Sequence, residues 1–494
     1  MRQSVRLAFV AAFIISFCGP GLVSFSPVCG QSQRLELGRR LQRFENAWQS
    51  ADVRNRAACV APLKTAVSSF FSLRLSEAGR SLDVAWQTAR GSVPASSFEQ
   101  SVIGLQLVAN PVCAEVSQQT MTLELRNFYK TNTTPPADTR VVVAIRDNGG
   151  RLLAESSFPG TALNASIDWT TGVLPEGDHR LSATLQSGTE SFGLPEISIT
   201  RVSQLSERLN ALRAKVPQRT ASPPTPTESS DLQQFTVQST CRSTISFLTA
   251  LSEGQPQEAD FPALSRLQLC ESVTQTDADV SQVLLQHGQS RDLWLTLANA
   301  RRSVPARIRC PASPQGPMPV LFVFHGAGGS ENMFFEAYGA GRVVEEARKR
   351  GWLVVAPGQG LLGLALGLED MLAALETCFP VDRRQVLLLG HSMGAAQVMR
   401  QMQQYPGIAR AAVALGGGGR LTGEDVSRFA ATPWFVAAGA EDFGRRGALQ
   451  LHESLQQAGG KSVYQDFPDV EHLVIVQAAI PATFEFFDAT LSSR

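Results

Sequence analysis

The sequence predicts a multidomain protein with a helical N-terminal segment, a β-sandwich and a C-terminal α/β domain whose mostly parallel sheet carries helices on both faces. Three observations predict this architecture. Helical apolar spacing gives way to strand-like alternation near residue 101, a Pro/Ser/Thr-rich stretch lies at 217–231, and apolar runs alternate with helical segments from 286 onward. The length of 494 residues suits about three domains. A hydrophobic content of 43% is ample for packed cores.

The charge balance bears on the class of partner. Lysine plus arginine and aspartate plus glutamate each total 44, so the formal net charge is zero. No Lys/Arg cluster provides the basic patch that a nucleic-acid partner requires. The sequence therefore predicts no nucleic-acid binding.

The first thirty residues have the pattern of a signal peptide. Arg2 and Arg6 accompany an apolar run at 7–17, and cleavage near Gln31 would remove residues 1–30. A membrane anchor is the alternative, but the run is shorter than the roughly 20 apolar residues of a span. We expect a secreted or periplasmic protein with no integral membrane span after signal removal.

Six cysteines remain after that removal, in a compartment that favours disulfides. None has the spacing of a zinc or redox motif, so the sequence predicts disulfides or, alternatively, buried free thiols. The simplest pairing joins neighbours along the chain: Cys59 with Cys113, Cys241 with Cys270, and Cys310 with Cys378.

Residues 31–100 form the predicted helical segment, and 101–201 the predicted sandwich. In the first, Leu37, Leu41, Phe44 and Trp48 recur every three to four residues, as on one face of a helix. In the second, short stretches alternate apolar and polar residues, which favours an immunoglobulin-like β-sandwich. The sandwich is either a spacer or a module for a polymer or protein ligand. Its clearest strands are 119–127, 139–146, 164–169 and 178–186.

A helix and linker at 202–231 and a helical connecting segment at 232–285 lead into the α/β domain, 286–494. Near-continuous apolar strands between helices predict a mostly parallel sheet, whose functional residues gather at the carboxyl ends of its strands. The strand-like runs are 293–297, 319–324, 352–356, 386–389, 411–415 and 434–438.

The run at 386–389 ends in a candidate nucleophile. Gly390, Ser392 and Gly394 form the pattern G-x-S-x-G between a strand and a helix. Such a sharp turn raises the serine hydroxyl out of the sheet, and glycines allow the close backbone approach. The helix N-terminus that follows favours developing negative charge.

A serine nucleophile needs a base and an acid that orients it. His472 lies in a loop between a strand-like run and the last helix, where it can reach the serine. Asp442 leaves the strand at 434–438 and is the predicted acid, with Glu441 as the alternative. The order Ser392, Asp442, His472 is that of the serine hydrolases built on parallel sheets.

The glycine-rich stretch at 324–330 follows another strand. Its small residues let backbone N–H groups approach an anionic oxygen, and the absence of GK[ST] argues against a phosphate loop. The N–H groups of Ala327 and Met393 are the predicted oxyanion hole.

These motifs resemble the α/β-hydrolase superfamily over about residues 290–494. HGAGGS, GHSMG, the GAED strand exit and the VEH loop stand in family order. The nearest branches are the polyhydroxybutyrate depolymerases and feruloyl esterases, or the dienelactone hydrolases and prolyl oligopeptidases. The short connection between Gly419 and Pro433, where many lipases insert a lid, predicts an open site.

The sequence thus predicts a serine hydrolase that cleaves esters of a small molecule or polymer through an acyl-enzyme, with no cofactor. One alternative is a serine peptidase of prolyl-oligopeptidase type, which uses the same machinery. The other is an exported binding or scaffold protein with an inactive hydrolase domain.

Overall fold

The computed structural model of the chain describes residues 27–91, 95–216, 229–255, 260–275, 279–359, 364–421 and 431–492. Most of the predicted signal peptide (1–30) and of the predicted linker (217–231) lies outside these ranges. Among the described residues, no helix has both the length and the apolar character needed to cross a bilayer.

Helices joined by short turns form most of the described part of the predicted helical segment. The apolar face predicted in α1 is confirmed, because its four members are all buried. They pack in one hydrophobic cluster with Leu321 and Val323 of the C-terminal sheet. Burial of each such side chain contributes about 1.5–3 kcal/mol, so this face attaches the helices to the C-terminal domain. The helices are α1 (Pro27–Ser50), α2 (Val53–Ala58), α3 (Val60–Phe71), α4 (Leu75–Arg90) and α5 (Ser97–Val102).

Residues 105–202 form two sheets that share a hydrophobic cluster. One sheet has the order β1-β3-β6 and the other β2-β9-β7-β4-β5, with β8 beside β7. Inward side chains alternate along the strands, as at Leu123, Val143 and Leu181. The immunoglobulin-like type stays a prediction. The strands are β1 (Leu105–Asn110), β2 (Cys113–Glu115), β3 (Thr120–Asn127), β4 (Arg140–Asp147), β5 (Leu152–Pro159), β6 (Ser166–Thr170), β7 (Gly177–Ser187), β8 (Glu190–Gly193) and β9 (Ile197–Val202).

Within the described ranges, four helices connect these sheets to the C-terminal domain. The second of them begins at Ser229, inside the stretch predicted as linker, so the helical connection starts earlier in the chain than expected. The helices are α6 (Leu205–Lys215), α7 (Ser229–Ser252), α8 (Ala263–Val273) and α9 (Val280–Ser290).

The C-terminal domain contains an eight-stranded sheet of order β10-β11-β13-β12-β14-β15-β16-β17. The pairs β10–β11 and β11–β13 are antiparallel. Every other pair of neighbours in this order is parallel, so the predicted mostly parallel sheet is confirmed. β11 was not predicted because Pro305 and Arg307 interrupt its apolar pattern. Arg307 is nevertheless buried, because its guanidinium forms ion pairs with Asp292 and Glu336. The strands are β10 (Leu293–Ala298), β11 (Ser303–Arg309), β12 (Met318–Phe324), β13 (Leu353–Pro357), β14 (Val381–His391), β15 (Ala411–Leu415), β16 (Trp434–Gly439) and β17 (Ser462–Phe467).

Helices cover both faces of this sheet, as predicted. Along β12, Phe322 points into one hydrophobic cluster and Val323 into the other. The first cluster includes α7 and α8, and the second includes α1, so segments outside the C-terminal domain complete both faces. The domain's own helices are α10 (Met333–Glu336), α11 (Arg342–Lys349), α12 (Leu368–Cys378), α13 (Met393–Gln404), α14 (Arg445–Gln457) and α15 (Ile475–Ser492), with a 3-10 turn at Tyr338–Gly341.

The predicted disulfides are absent from the structure, which corrects that expectation. All six cysteines are buried free thiols, the alternative that the sequence left open. Cys59 and Cys113 belong to different hydrophobic clusters, whereas Cys241 and Cys270 share one and lie within hydrogen-bond distance of each other as thiols. Burial raises the pKa of Cys59, Cys310 and Cys378 to about 12, as expected for thiols that serve as small apolar side chains.

Candidate active site

The predicted nucleophile lies at the sharp turn between β14 and α13. Ser392 has φ of +58°, a left-handed conformation that is costly for a non-glycine residue. A Cβ on Gly394 would lie 1.9 Å from the carbonyl oxygen of Phe324, and one on Gly390 would lie 2.2 Å from the carbonyl oxygen of Gly394. Both glycines are therefore required by backbone contacts, as the motif predicts.

The turn presents Ser392 at the end of the sheet. Its N–H donates to the carbonyl oxygen of Leu415 at 2.9 Å, which ties the turn to β15. The residue is half-buried and lines a cavity together with His472. Its Oγ forms no hydrogen bond with any residue that the structure describes, so the hydroxyl faces the cavity without a protein partner.

His472 and Asp442 lie together at the same end of the sheet. The Nδ1 of His472 donates to Oδ1 of Asp442 at 2.7 Å, and the N–H of Gly444 donates to the same oxygen at 2.6 Å. Burial alone would raise the pKa of Asp442, but these hydrogen bonds hold it below its ordinary value. The bond fixes the imidazole tautomer and leaves Nε2 free to act as a base. Hydrogen bonds between nucleophile and base often tighten only when substrate is bound.

Glu441, the alternative acid, is placed differently. Its carboxylate is 43% exposed and forms an ion pair with Lys64 of α3. The structure thus brings Asp442, and not Glu441, to the histidine.

The two predicted oxyanion donors both lie near Ser392, Ala327 along the same cavity and Met393 next in the chain. Ala327 lines the cavity, and Met393 opens α13. Neither N–H donates a hydrogen bond within the described ranges. His325 fixes the loop, because one ring nitrogen bonds to the oxygen of Gly326 at 2.8 Å and the other accepts from the N–H of Gln359 at 3.2 Å.

Three side chains near the site were not predicted. Nε2 of His391 donates to the carbonyl oxygen of His472 at 2.9 Å, and burial lowers the pKa of His391 to about 3, so the ring is neutral. Tyr338 packs edge-on against His391, with ring centroids 4.7 Å apart. The ring of Phe443 lies 4.0 Å from that of His472. The positions of His391, directly before the nucleophile, and of Phe443, directly after the acid, were available as signals.

Glu471 is a second buried carboxyl group beside the histidine. It is 1% exposed, and Oε2 accepts from the N–H of Leu473 at 2.8 Å. Burial raises the pKa of Glu471 to about 7, and the nearby Asp442 adds to that effect. The folded protein therefore retains this proton at pH values where the unfolded chain has lost it.

This carboxyl group predicts a pH dependence of stability. Because the pKa of Glu471 is raised in the folded state, its contribution to the free energy of unfolding is complete below about pH 4.5. This contribution is lost as the pH rises to about 7. The expected loss is about 3 kcal/mol. Glu471→Gln keeps an acceptor for Leu473, so the variant should lack this part of the decline. Urea unfolding of both proteins at about pH 4.5 and about pH 8 measures it, and an equal decline in both would contradict the assignment.

The N-terminal helices cover one side of the site, a contribution that the sequence does not predict. α1, α3 and α4 line one side of the cavity that contains Ser392 and His472. A Cβ built on Gly328 of the oxyanion loop would lie 2.6 Å from the ring of Phe70, so α3 packs directly on that loop. Phe71 meets Phe443 edge-on, with centroids 6.2 Å apart. Among the residues that the structure describes, this cover is formed by α1, α3 and α4.

Comparisons with known proteins agree with this fold. Residues 320–492 match the model of the Alpha/beta hydrolase family Abhydrolase_6. A comparison with curated proteins finds no match.

Three solved structures illustrate the likeness. A thermostable esterase is 20% identical, with 41% of this chain and 63% of that one covered and a TM-score of 0.34. An S-formylglutathione hydrolase from Agrobacterium tumefaciens is 15% identical, with 39% and 91% covered and a TM-score of 0.33. A feruloyl esterase module from Clostridium thermocellum is 15% identical, with 40% and 88% covered and a TM-score of 0.34.

The matched region includes the turn at Ser392, the Asp442–His472 pair and six of the eight strands of the sheet. Residues 320–492 of this chain form an α/β-hydrolase domain.

Proposed function

We propose that the protein is a serine hydrolase that cleaves carboxylic esters, with Ser392 as nucleophile, His472 as base and Asp442 as the acid that orients it. The observation that carries this proposal is the 2.7 Å hydrogen bond between His472 and Asp442. His472 lines one cavity together with Ser392, whose backbone is strained. Strain at one serine is characteristic of the nucleophile turn of hydrolases.

The proposed reaction proceeds in two halves. Oγ of Ser392 attacks the ester carbonyl carbon while Nε2 of His472 takes its proton, and the N–H groups of Ala327 and Met393 stabilise the oxyanion. Each such donor lowers the barrier by on the order of 3 kcal/mol. The imidazolium then gives the proton to the leaving alcohol, and an acyl-enzyme forms. Water, deprotonated by His472, releases the acid and restores the serine.

A fluorophosphonate probe tests this proposal. We expect one molecule of label per chain, located on Ser392 by mass spectrometry, because only an activated serine reacts with such a probe quickly. Prior heat denaturation of the protein should abolish labelling. A folded sample that stays unlabelled, or carries the label elsewhere, would favour the scaffold alternative.

The same sample separates esterase from peptidase activity. Turnover of a p-nitrophenyl ester is compared with turnover of the matching p-nitroanilide, which has the same acyl group and an amide bond. We expect ester turnover to dominate. Cleavage of the anilide well above its uncatalysed rate would identify the peptidase alternative, because peptidases also hydrolyse activated esters.

A further inference from the structure

We propose that α1, α3 and α4 form a pocket for an apolar acyl chain, and that Gly38 of α1 keeps this pocket open. The inference rests on the proposed function and names the substrate class: esters of uncharged aliphatic acids longer than acetate. The residues that select the substrate would then lie outside the α/β-hydrolase domain, in the first helices of the chain.

The first step is the composition of the cavity. Most of the side chains that line it are apolar, as in sites for small molecules. Among the described residues that line it, none carries a carboxylate, and the one arginine, Arg34, is exposed. A cationic chain would find no carboxylate here and an anionic chain only the exposed Arg34, whereas an aliphatic chain gains from leaving water. The helices contribute Leu37, Leu41, Ala66, Val67, Phe70 and Leu82.

The second step is which half of the ester occupies the pocket. The acyl group remains on Ser392 through both halves of the reaction, while the alcohol departs and water replaces it. The apolar wall lies beside Ser392, so it can contact the group that stays through both halves of the reaction. We therefore assign the helical wall to the acyl chain.

The third step is Gly38. Glycine weakens a helix interior, so its presence needs a reason. At Gly79 of α4 the reason is close packing, because a Cβ there would lie 2.3 Å from the ring of Phe128. A Cβ on Gly38 would meet nothing within 4 Å. Gly38 lines both the active-site cavity and a second cavity next to it that reaches Asn332 and Glu336, so the missing side chain leaves open the place where the two meet.

The test is the acyl-chain preference of a Gly38→Leu variant. The ratio of kcat/KM for p-nitrophenyl octanoate to that for the acetate is measured in both proteins. Each buried methylene contributes about a fourfold factor, so exclusion of two or three should lower this ratio by at least about tenfold. Gly38→Ala should have a smaller effect. Asn46→Leu places the same side chain on an exposed position of α1, away from the cavity, and should keep the wild-type ratio.

The outcomes separate the two proposals. A Gly38→Leu ratio within twofold of wild type, with Ser392 still labelled by fluorophosphonate, would overturn the pocket and leave the proposed function standing. Absence of Ser392 labelling in wild type would overturn the proposed function. Thermal unfolding checks the fold, since leucine in open space should not lower the melting temperature. If Gly38→Leu lowers the melting temperature, the chain-length preference is measured in Gly38→Ala instead. The ratio is then that of the labelling rates of Ser392 by a long-chain and a short-chain alkyl fluorophosphonate.

Discussion

Replacement of Ser392 by alanine is expected to lower kcat/KM for a short p-nitrophenyl ester by at least about 10⁴-fold. The variant lacks the atom that forms the acyl-enzyme, and no other described side chain takes its place at the turn. The fold should persist, because Oγ has no hydrogen-bond partner among the described residues and alanine has the same Cβ at φ of +58°. Initial rates over a range of ester concentrations measure the effect.

The control for this prediction is Ser290→Ala, at an exposed position near the end of α9. It removes a hydroxyl without touching the cavity and should retain the wild-type rate. Thermal unfolding of both variants shows whether the fold is kept. Residual activity of Ser392→Ala above about a hundredth of wild type would point to a different nucleophile, because loss of the serine removes the covalent pathway.

The C-terminal fold could be predicted because its physical causes are local in sequence. β15 is an uninterrupted apolar run, and such a run between helices needs both faces covered. The turn at Ser392 was readable from its motif, in which a Cβ on Gly390 would meet the carbonyl oxygen of Gly394. The contact that excludes a side chain at Gly394 comes from Phe324 of β12 and depends on the tertiary structure. β11 was missed because Arg307 is buried by carboxylates from other elements, which spacing does not show.

The cover of the site could not be predicted, because its cause lies in contacts distant in sequence. The apolar spacing of Leu37, Leu41 and Phe44 indicates a buried helix face but does not name the surface that buries it. Lys64 pairs with Glu441 across most of the chain, and the backbone carbonyl of Glu45 accepts from the side-chain amide of Gln477 at 3.0 Å. Such contacts are fixed by tertiary structure, so the sequence of these helices does not indicate that they lie beside the active site.

Asp442→Asn is expected to lower kcat by about 10⁴-fold near neutral pH while KM changes little. The aspartate accepts a hydrogen bond from Nδ1 of His472 at 2.7 Å, and this places the proton on Nδ1 and the lone pair on Nε2. An asparagine can offer an N–H at that position instead, which favours the tautomer with its proton on Nε2, where it cannot take the proton of Ser392. Substrate binding does not involve this residue, so the loss should appear in kcat.

Glu441→Gln is the matched control, because it makes the same chemical change one residue earlier in the chain. Glu441 is exposed and pairs with Lys64 on α3, so the variant should retain kcat within a few-fold and lose only a surface ion pair worth at most about 1 kcal/mol. Full kinetics of both variants with one p-nitrophenyl ester decide between the two carboxylates. If Glu441→Gln lost activity and Asp442→Asn kept it, the acid would be Glu441, and the loop would have to rearrange before catalysis to bring that carboxylate to the histidine.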